Sequence, residues 1–328
     1  MTVLVTGGAG YIGSHMVYAL VAAGERVIVL DNLSTGFDWA VAGSVPLVVA
    51  ETGDQNLVST IIKEHAVEAI IHFAASIVVP DSVSDPLGYY KNNTVNSRAL
   101  IECAVKGGVK HFIFSSTAAV YGNPARVPVL EDDPLMPMSP YGSSKLMSEI
   151  MLRDASFAHG LKHVILRYFN VAGADPEGRT GQSTKGATHL IKVAVETALG
   201  KREKMDVFGT DYPTPDGTCL RDYIHVNDLA AAHLDALRYL RAGGDSVTAN
   251  CGYGRGFSVR EVIDTVKKVS GKDFRVDTSP RRPGDPAQIV ANSDRARATF
   301  GWRPQYDDLP LIVDHALAWE RKLMMRNA

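Results

Sequence analysis

Cysteine is scarce in this chain, long apolar runs are missing, and no stretch carries charge of a single sign. Cys103, Cys219 and Cys251 are the three cysteines of 328 residues, odd in number and far apart. That spacing excludes a disulfide framework and a thiolate zinc cluster, and suits a reducing compartment. No apolar run approaches the ~20 residues that a membrane-spanning helix needs. The first strand is expected to open at Thr2, leaving no room for a signal peptide, so the cytoplasm is the expected location. Lys and Arg number 34 against 36 Asp and Glu, a net charge of −2. Such a balance provides no field for nucleic acid or an anionic membrane, so an anionic ligand must be held by local donors. The ten His are scattered along the chain, and no metal is expected. Internal repeats and low-complexity segments are also absent.

What is present is the composition of a globular protein, 45% hydrophobic and 21% charged, long enough for one or two domains. Val3-Leu4-Val5, Val27-Ile28-Val29-Leu30, Leu47-Val48-Val49, Ala69-Ile70-Ile71, Phe112-Ile113-Phe114 and Val164-Ile165-Leu166 are unbroken apolar runs. Runs of this kind mark strands buried on both faces of a parallel sheet. Amphipathic helices separate them; Ile12, Met16 and Leu20 form one stripe, closed by Gly24. This alternation predicts a Rossmann-type, doubly wound α/β domain. After about residue 172 the texture turns to polar and proline-containing loops, with a capping box at Ser258 and Glu261 and a helix end at Gly271. The predicted organisation is a dinucleotide-binding domain over 1–172, to which about 221–255 return, and a smaller C-terminal α/β substrate domain mainly over 173–328.

Thr6-Gly7-Gly8-Ala9-Gly10-Tyr11-Ile12-Gly13 follows the first strand and opens the first helix. Gly7, Gly10 and Gly13 permit a tight turn, let the backbone approach a pyrophosphate and let the helix pack closely on the sheet. The helix N-terminus then offers free N–H groups to phosphate. Asp31 ends the second strand, where a carboxylate would accept from the adenosine ribose; a 2′-phosphate there would meet a like charge. The predicted cofactor is NAD rather than NADP.

Tyr141 and Lys145 stand four residues apart, downstream of Ser115-Ser116-Thr117. On a helix they share a face. A tyrosine titrates near ~10, so base catalysis at neutral pH requires lowering it by about 3 pH units, roughly 4 kcal/mol. One ammonium supplies about 1–3 of these, so a cationic nicotinamide nearby would have to supply the remainder. Thr117 offers a hydroxyl to hold or relay the proton.

The glycine loop, Asp31, the Ser-Ser-Thr run and Tyr-x-x-x-Lys together resemble the extended short-chain dehydrogenase/reductase superfamily. His72-Phe73-Ala74-Ala75, Ser115 to Gly122, Leu166 to Asn170, Val207 to Thr218 and Arg221 to Val226 narrow the resemblance to the UDP-glucose 4-epimerase family, nearly end to end. The resemblance implies Tyr141 as acid and base, Thr117 as its hydroxyl partner where many members carry Ser, and Lys145 at the nicotinamide ribose. It implies Tyr11, Ile12, Asp31, Asn32, Asp54, Phe73, Ala74, Asn92 and Phe169 on the NAD side. On the UDP-sugar side it implies Asn170, Phe208, Arg221, Arg282 and Asp285, two Arg being suited to clamp a diphosphate. Hydride would pass from sugar C4 to NAD and return to the opposite face through a 4-keto sugar. A homodimer is likewise implied. Three positions depart from the pattern: Ile77 replaces a cofactor-touching Lys, His189 replaces an Asn, and Ile289 stands at a position linked to admitting N-acetylated sugars.

The substrate alternatives are UDP-pentoses and UDP-N-acetylhexosamines. A 4,6-dehydratase is excluded because Ala118 and Ala119 stand where it needs an Asp-Glu pair. A plain NAD-dependent reductase is disfavoured by the sugar-nucleotide positions, and a cofactor-sensing regulator by the retention of Tyr141 and Lys145. His72, His225, Trp302 and Trp319 are expected to be structural, and Arg281 a solvated neighbour of Arg282.

Overall fold

The protein is described by a computed structural model covering residues 1–282 and 284–326. Six strands run in sequence order: β1 (Thr2–Thr6), β2 (Arg26–Asp31), β3 (Leu47–Val49), β4 (Val67–His72), β5 (His111–Thr117) and β6 (Lys162–Tyr168). With the strand Val247–Cys251 they form a seven-stranded parallel sheet. From one edge its order is Val247–Cys251, β6, β5, β4, β1, β2, β3. The order reverses between β1 and β4, the crevice where a doubly wound sheet receives its ligand.

The unbroken apolar runs have a simple cause. Successive side chains of a strand point to opposite faces. Val3, Val5, Val27, Val29, Ile71 and Ile113 enter one core with Met16, Leu20 and Leu237. Leu4, Ile28, Leu30, Ile70, Phe112 and Phe114 enter the other, with Ile61, Leu100 and Leu152. Both faces are covered by helices, so neither parity of residue can be polar. Helix α1 (Tyr11–Ala22) packs with Val226–Arg241 on one side; α2 (Gln55–Glu64), Asn96–Lys106 and Pro140–His159 cover the other.

The Pro140–His159 helix carries Tyr141 and Lys145. Ser139 caps it by accepting from the Gly142 N–H at 3.2 Å, Pro140 occupies the first turn, and Gly160 ends it in the left-handed conformation (φ 72°). A Cβ at residue 142 would lie 2.7 Å from the Ala119 carbonyl oxygen. Glycine there lets the first turn settle onto the 118–120 turn just beyond β5, which places Tyr141 over the strand end. Beyond residue 172, smaller sheets pair Tyr223–His225 with Asn170–Ala172 in parallel, and Gln288–Ile289 with Leu220–Arg221. The capping box at Ser258 and Glu261 forms, and Gly271 closes that helix with φ 65°.

Candidate active site

The glycine loop is shaped by what cannot fit there. Gly7 takes φ +72°, and a Cβ on it would come within 2.6 Å of the Ala74 nitrogen; a Cβ on Gly13 would overlap the Gly7 carbonyl oxygen. Gly10 caps α1 with no side-chain hydrogen bond, so the first N–H groups of the helix remain available to an anion. These features fit a pyrophosphate lying across the loop. Asp31 is buried at the end of β2, and its carboxylate already accepts from the Ala9 N–H at 2.9 Å and the Leu33 N–H at 2.8 Å. The predicted ribose acceptor therefore also braces the loop. Burial pushes its carboxyl up, against those backbone hydrogen bonds.

The other cofactor-side positions have separate surroundings. The Tyr11 hydroxyl donates to the Gly173 carbonyl at 2.7 Å, tying α1 to the loop after Asn170–Ala172. Asn32 donates to Glu51, whereas Asp54 caps α2 through the Leu57 N–H. Phe73 follows β4, its N–H on the Thr6 carbonyl, and its ring lies 4.7 Å from that of His233. Ala74 borders Gly7. Asn92 donates to Ser76, and next to it Asn93 bridges Ser76 and Ser144. Ile77 is exposed.

At the end of β5 the predicted proton-transfer residues meet. The Thr117 hydroxyl lies beside the Tyr141 phenol, near enough to favour its ionised form. Lys145 Nζ donates to the Ser115 carbonyl at 2.9 Å and lies 5.0 Å from the centroid of the Phe114 ring. The ammonium thus engages the strand backbone rather than the phenol. Burial pushes the Tyr141 phenol up to about 12, opposed by the Thr117 hydroxyl, and brings Lys145 down to about 7, opposed by Glu149. Desolvation disfavours both charged forms. The gap to a phenolate at neutral pH is therefore wider than an exposed tyrosine would suggest.

Three further groups border these residues. The Ser115 hydroxyl bonds to that of Tyr168, whose phenol burial also pushes up. Glu149 lies fully buried two turns beyond Tyr141 on the same helix, where the i+8 spacing could have found it. Asn93 ties the Tyr90–Val95 segment to the Tyr141 helix through Ser144.

The sugar-side positions gather on the smaller sheets. The Arg282 guanidinium lies 3.8 Å above the Phe208 ring, and Arg221 pairs with Asp285 at 3.2 Å. Ile289 pairs in register with Arg221 and packs with Phe169 and Ala118, joining this arm to the β5 end. The Asn170 N–H donates to the Asp222 carbonyl at 3.0 Å. Asn170, Tyr11 and His189 line one pocket.

Residues 3–252 match the NAD dependent epimerase/dehydratase family. The chain is also 58% identical to a UDP-glucose 4-epimerase of Azospirillum brasilense, covering 98% of this chain and 92% of the relative. The chain belongs to the NAD dependent epimerase/dehydratase family. Among solved structures it is similar to a UDP-glucose 4-epimerase from Brucella ovis in complex with NAD (TM-score 0.94, 42% identical, 97% of each chain). It is also similar to the UDP-Glc/GlcNAc 4-epimerase of Campylobacter jejuni (TM-score 0.86, 50% identical, 98% of this chain and 99% of that one).

Within this epimerase fold several residues set aside in the sequence have structural roles. His72 bridges Thr6 and Ser97, and burial takes it down to about 3. His225 accepts from the Asn227 N–H and meets His315 at 3.0 Å. Trp302 is buried and donates to the Asp228 carbonyl, and Trp319 is buried too. Arg281 is exposed, as expected of a solvated neighbour; it also pairs with Asp211 and covers the Tyr212 ring at 4.2 Å, because Gly209 lets the two sides of that loop close. Among the described residues no helix is long and apolar enough to cross a membrane, and no group of three or more His, Cys, Asp or Glu could hold a metal ion.

Proposed function

We propose that this chain interconverts UDP-glucose and UDP-galactose, with Tyr141 as the proton-transferring group. The observation that carries the reading is the meeting of Thr117, Tyr141 and Lys145 at a β5 end beside a loop shaped for a dinucleotide. NAD would be held by Gly7, Gly10, Tyr11, Ile12 and Gly13 at the α1 N-terminus and by Asp31 and Asn32 at the adenosine end. Asp54, Phe73, Ala74, Asn92, Lys145 and Phe169 would complete its surroundings. When bound, NAD supplies a hydride acceptor for sugar C4 that returns the hydride, together with a positive charge. The Tyr141 oxygen takes the proton of the 4-hydroxyl and later gives it back. Thr117 keeps that proton in line, and Lys145 supplies a positive charge to the site. Arg221 and Arg282 would hold the diphosphate, with Asp285 orienting Arg221 and Phe208 supporting Arg282. Firm contacts at UDP leave the hexose free to turn, as return of hydride to the other face requires.

A UDP-N-acetylhexosamine reading rests on Ile289, which shares an apolar cluster with Phe169 and Ala118 and stands at the position the resemblance links to N-acetylated sugars. The exposed apolar side chains of Met147, Ile150 and Phe157 on one helix support a homodimer. Three free, buried cysteines support a cytoplasmic location. The test incubates the purified holoenzyme separately with UDP-galactose, UDP-N-acetylgalactosamine and UDP-xylose and identifies the products. Conversion of UDP-galactose to UDP-glucose without net NADH is expected. Bound NAD with no conversion of any of the three would leave only a cofactor-sensing role.

A further inference from the structure

Three consecutive residues at the end of β5 meet three residues at successive turns of one helix. The Thr117 hydroxyl lies beside the Tyr141 phenol, the Ser115 carbonyl accepts from Lys145, and Ser116 donates to Glu149 at 2.5 Å. Glu149 stands one turn beyond Lys145, fully buried, and Arg167 from β6 grips it through two donors, Nε to Oε1 at 3.0 Å and Nη2 to Oε2 at 2.6 Å. Arg167 is held in turn by the Glu131 carbonyl, and it donates to the Tyr121 hydroxyl, which donates to Asn250. Stability alone does not call for such a pair, since apolar residues of similar volume commonly serve as well. A carboxylate at this turn does two things that an apolar residue could not. It fixes Ser116, and with it the flanking Ser115 and Thr117, and it places negative charge one helical turn behind a buried ammonium.

We infer that Glu149 is a positioning residue for proton transfer, holding the β5 end in register with Tyr141 and keeping Lys145 an ammonium. The inference rests on the proposed roles of Tyr141 and Lys145. The surroundings of Lys145 make the need plain. From β5 it faces the Phe114 ring and the Ser115 carbonyl, and from β4 it is near His72, which burial keeps neutral. Tyr168 of β6 reaches Ser115, and Tyr89 lies near Tyr141. Among the described residues Glu149 is the one carboxylate acting on the ammonium, and it opposes a burial that still brings Lys145 down to about 7.

The test compares Glu149→Gln with Arg167→Gln. Each breaks the same ion pair, but only the first removes the negative charge; the second leaves it unneutralised. Two quantities are read: the alkaline limb of the kcat–pH profile, and the titration midpoint of the Lys145 amine by its ¹⁵Nζ shift, assigned with Lys145→Met. In Glu149→Gln both should fall by about one pH unit, and in Arg167→Gln both should rise. Displacement in the same direction, or none, would show a purely structural ion pair and overturn the inference. If neither single variant folds, the double variant Glu149→Gln/Arg167→Gln buries no unpaired charge, and its Lys145 midpoint should still lie below that of wild type; a midpoint at or above it overturns the inference. The ¹⁵Nζ titration needs no turnover, so it stands even if the holoenzyme converts no UDP-sugar.

Discussion

Lys145 Nζ donates to the carbonyl oxygen of Ser115 at 2.9 Å, so the helix that carries the phenol is fastened to the strand that carries its hydroxyl partner. On the proposed reading the ammonium serves Tyr141 at a distance, by charge and by register, since its hydrogen bond goes to the Ser115 carbonyl and not to the phenol.

Tyr141→Phe should cut kcat by about 10²–10⁴-fold while leaving NAD bound, because only the proton acceptor beside Thr117 is lost. Steady-state turnover and the ratio of absorbance at 260 and 280 nm measure the two effects. Turnover near that of wild type would remove Tyr141 from the reaction.

Lys145→Met should move the acid limb of the kcat–pH profile upward by about one pH unit or more. With NAD bound, the limb would report ionisation of the Tyr141 phenol; burial pushes that phenol up, and losing a cation from the site makes the phenolate harder to form. An unmoved limb would mean that Lys145 acts only as a strut for Ser115.

Gly13→Ala should yield protein that no longer retains NAD. The added Cβ overlaps the Gly7 carbonyl oxygen, so the loop must open and the α1 N-terminus shift away from the pyrophosphate. Purification with a full complement of NAD would show that the close packing is not needed.

Asp222 is a probe of the smaller sheets. It is buried and accepts from the N–H groups of Tyr253, Gly254 and Ala291, and desolvation pushes its carboxyl up to about 6 despite those bonds. Its folded-state pKa lies above that of the unfolded chain, about 4. Its contribution to stability is thus complete below about pH 4 and is lost as the pH rises through about 6, an amount on the order of 3 kcal/mol. The difference in Tm between wild type and Asp222→Asn should therefore decline across that window. A difference that grows with pH would reverse the assignment.

The sequence by itself determined the sheet, the glycine loop and the Tyr141–Lys145 pair. These depend on local properties: strands with both faces buried are apolar at every position, a pyrophosphate loop excludes Cβ atoms, and a four-residue spacing sets two side chains on one helical face. The double duty of Asp31 was not legible, since its bonds to the Ala9 and Leu33 N–H groups depend on how the loop folds back over β2. Nor was the coupling of Ser116, Glu149 and Arg167, which join β5, a helix and β6 from distant parts of the chain. Burial decided the rest. Only the packed structure places Tyr141 and Lys145 out of water, and removing that solvent raises the phenol and lowers the amine, which no spacing of residues can reveal.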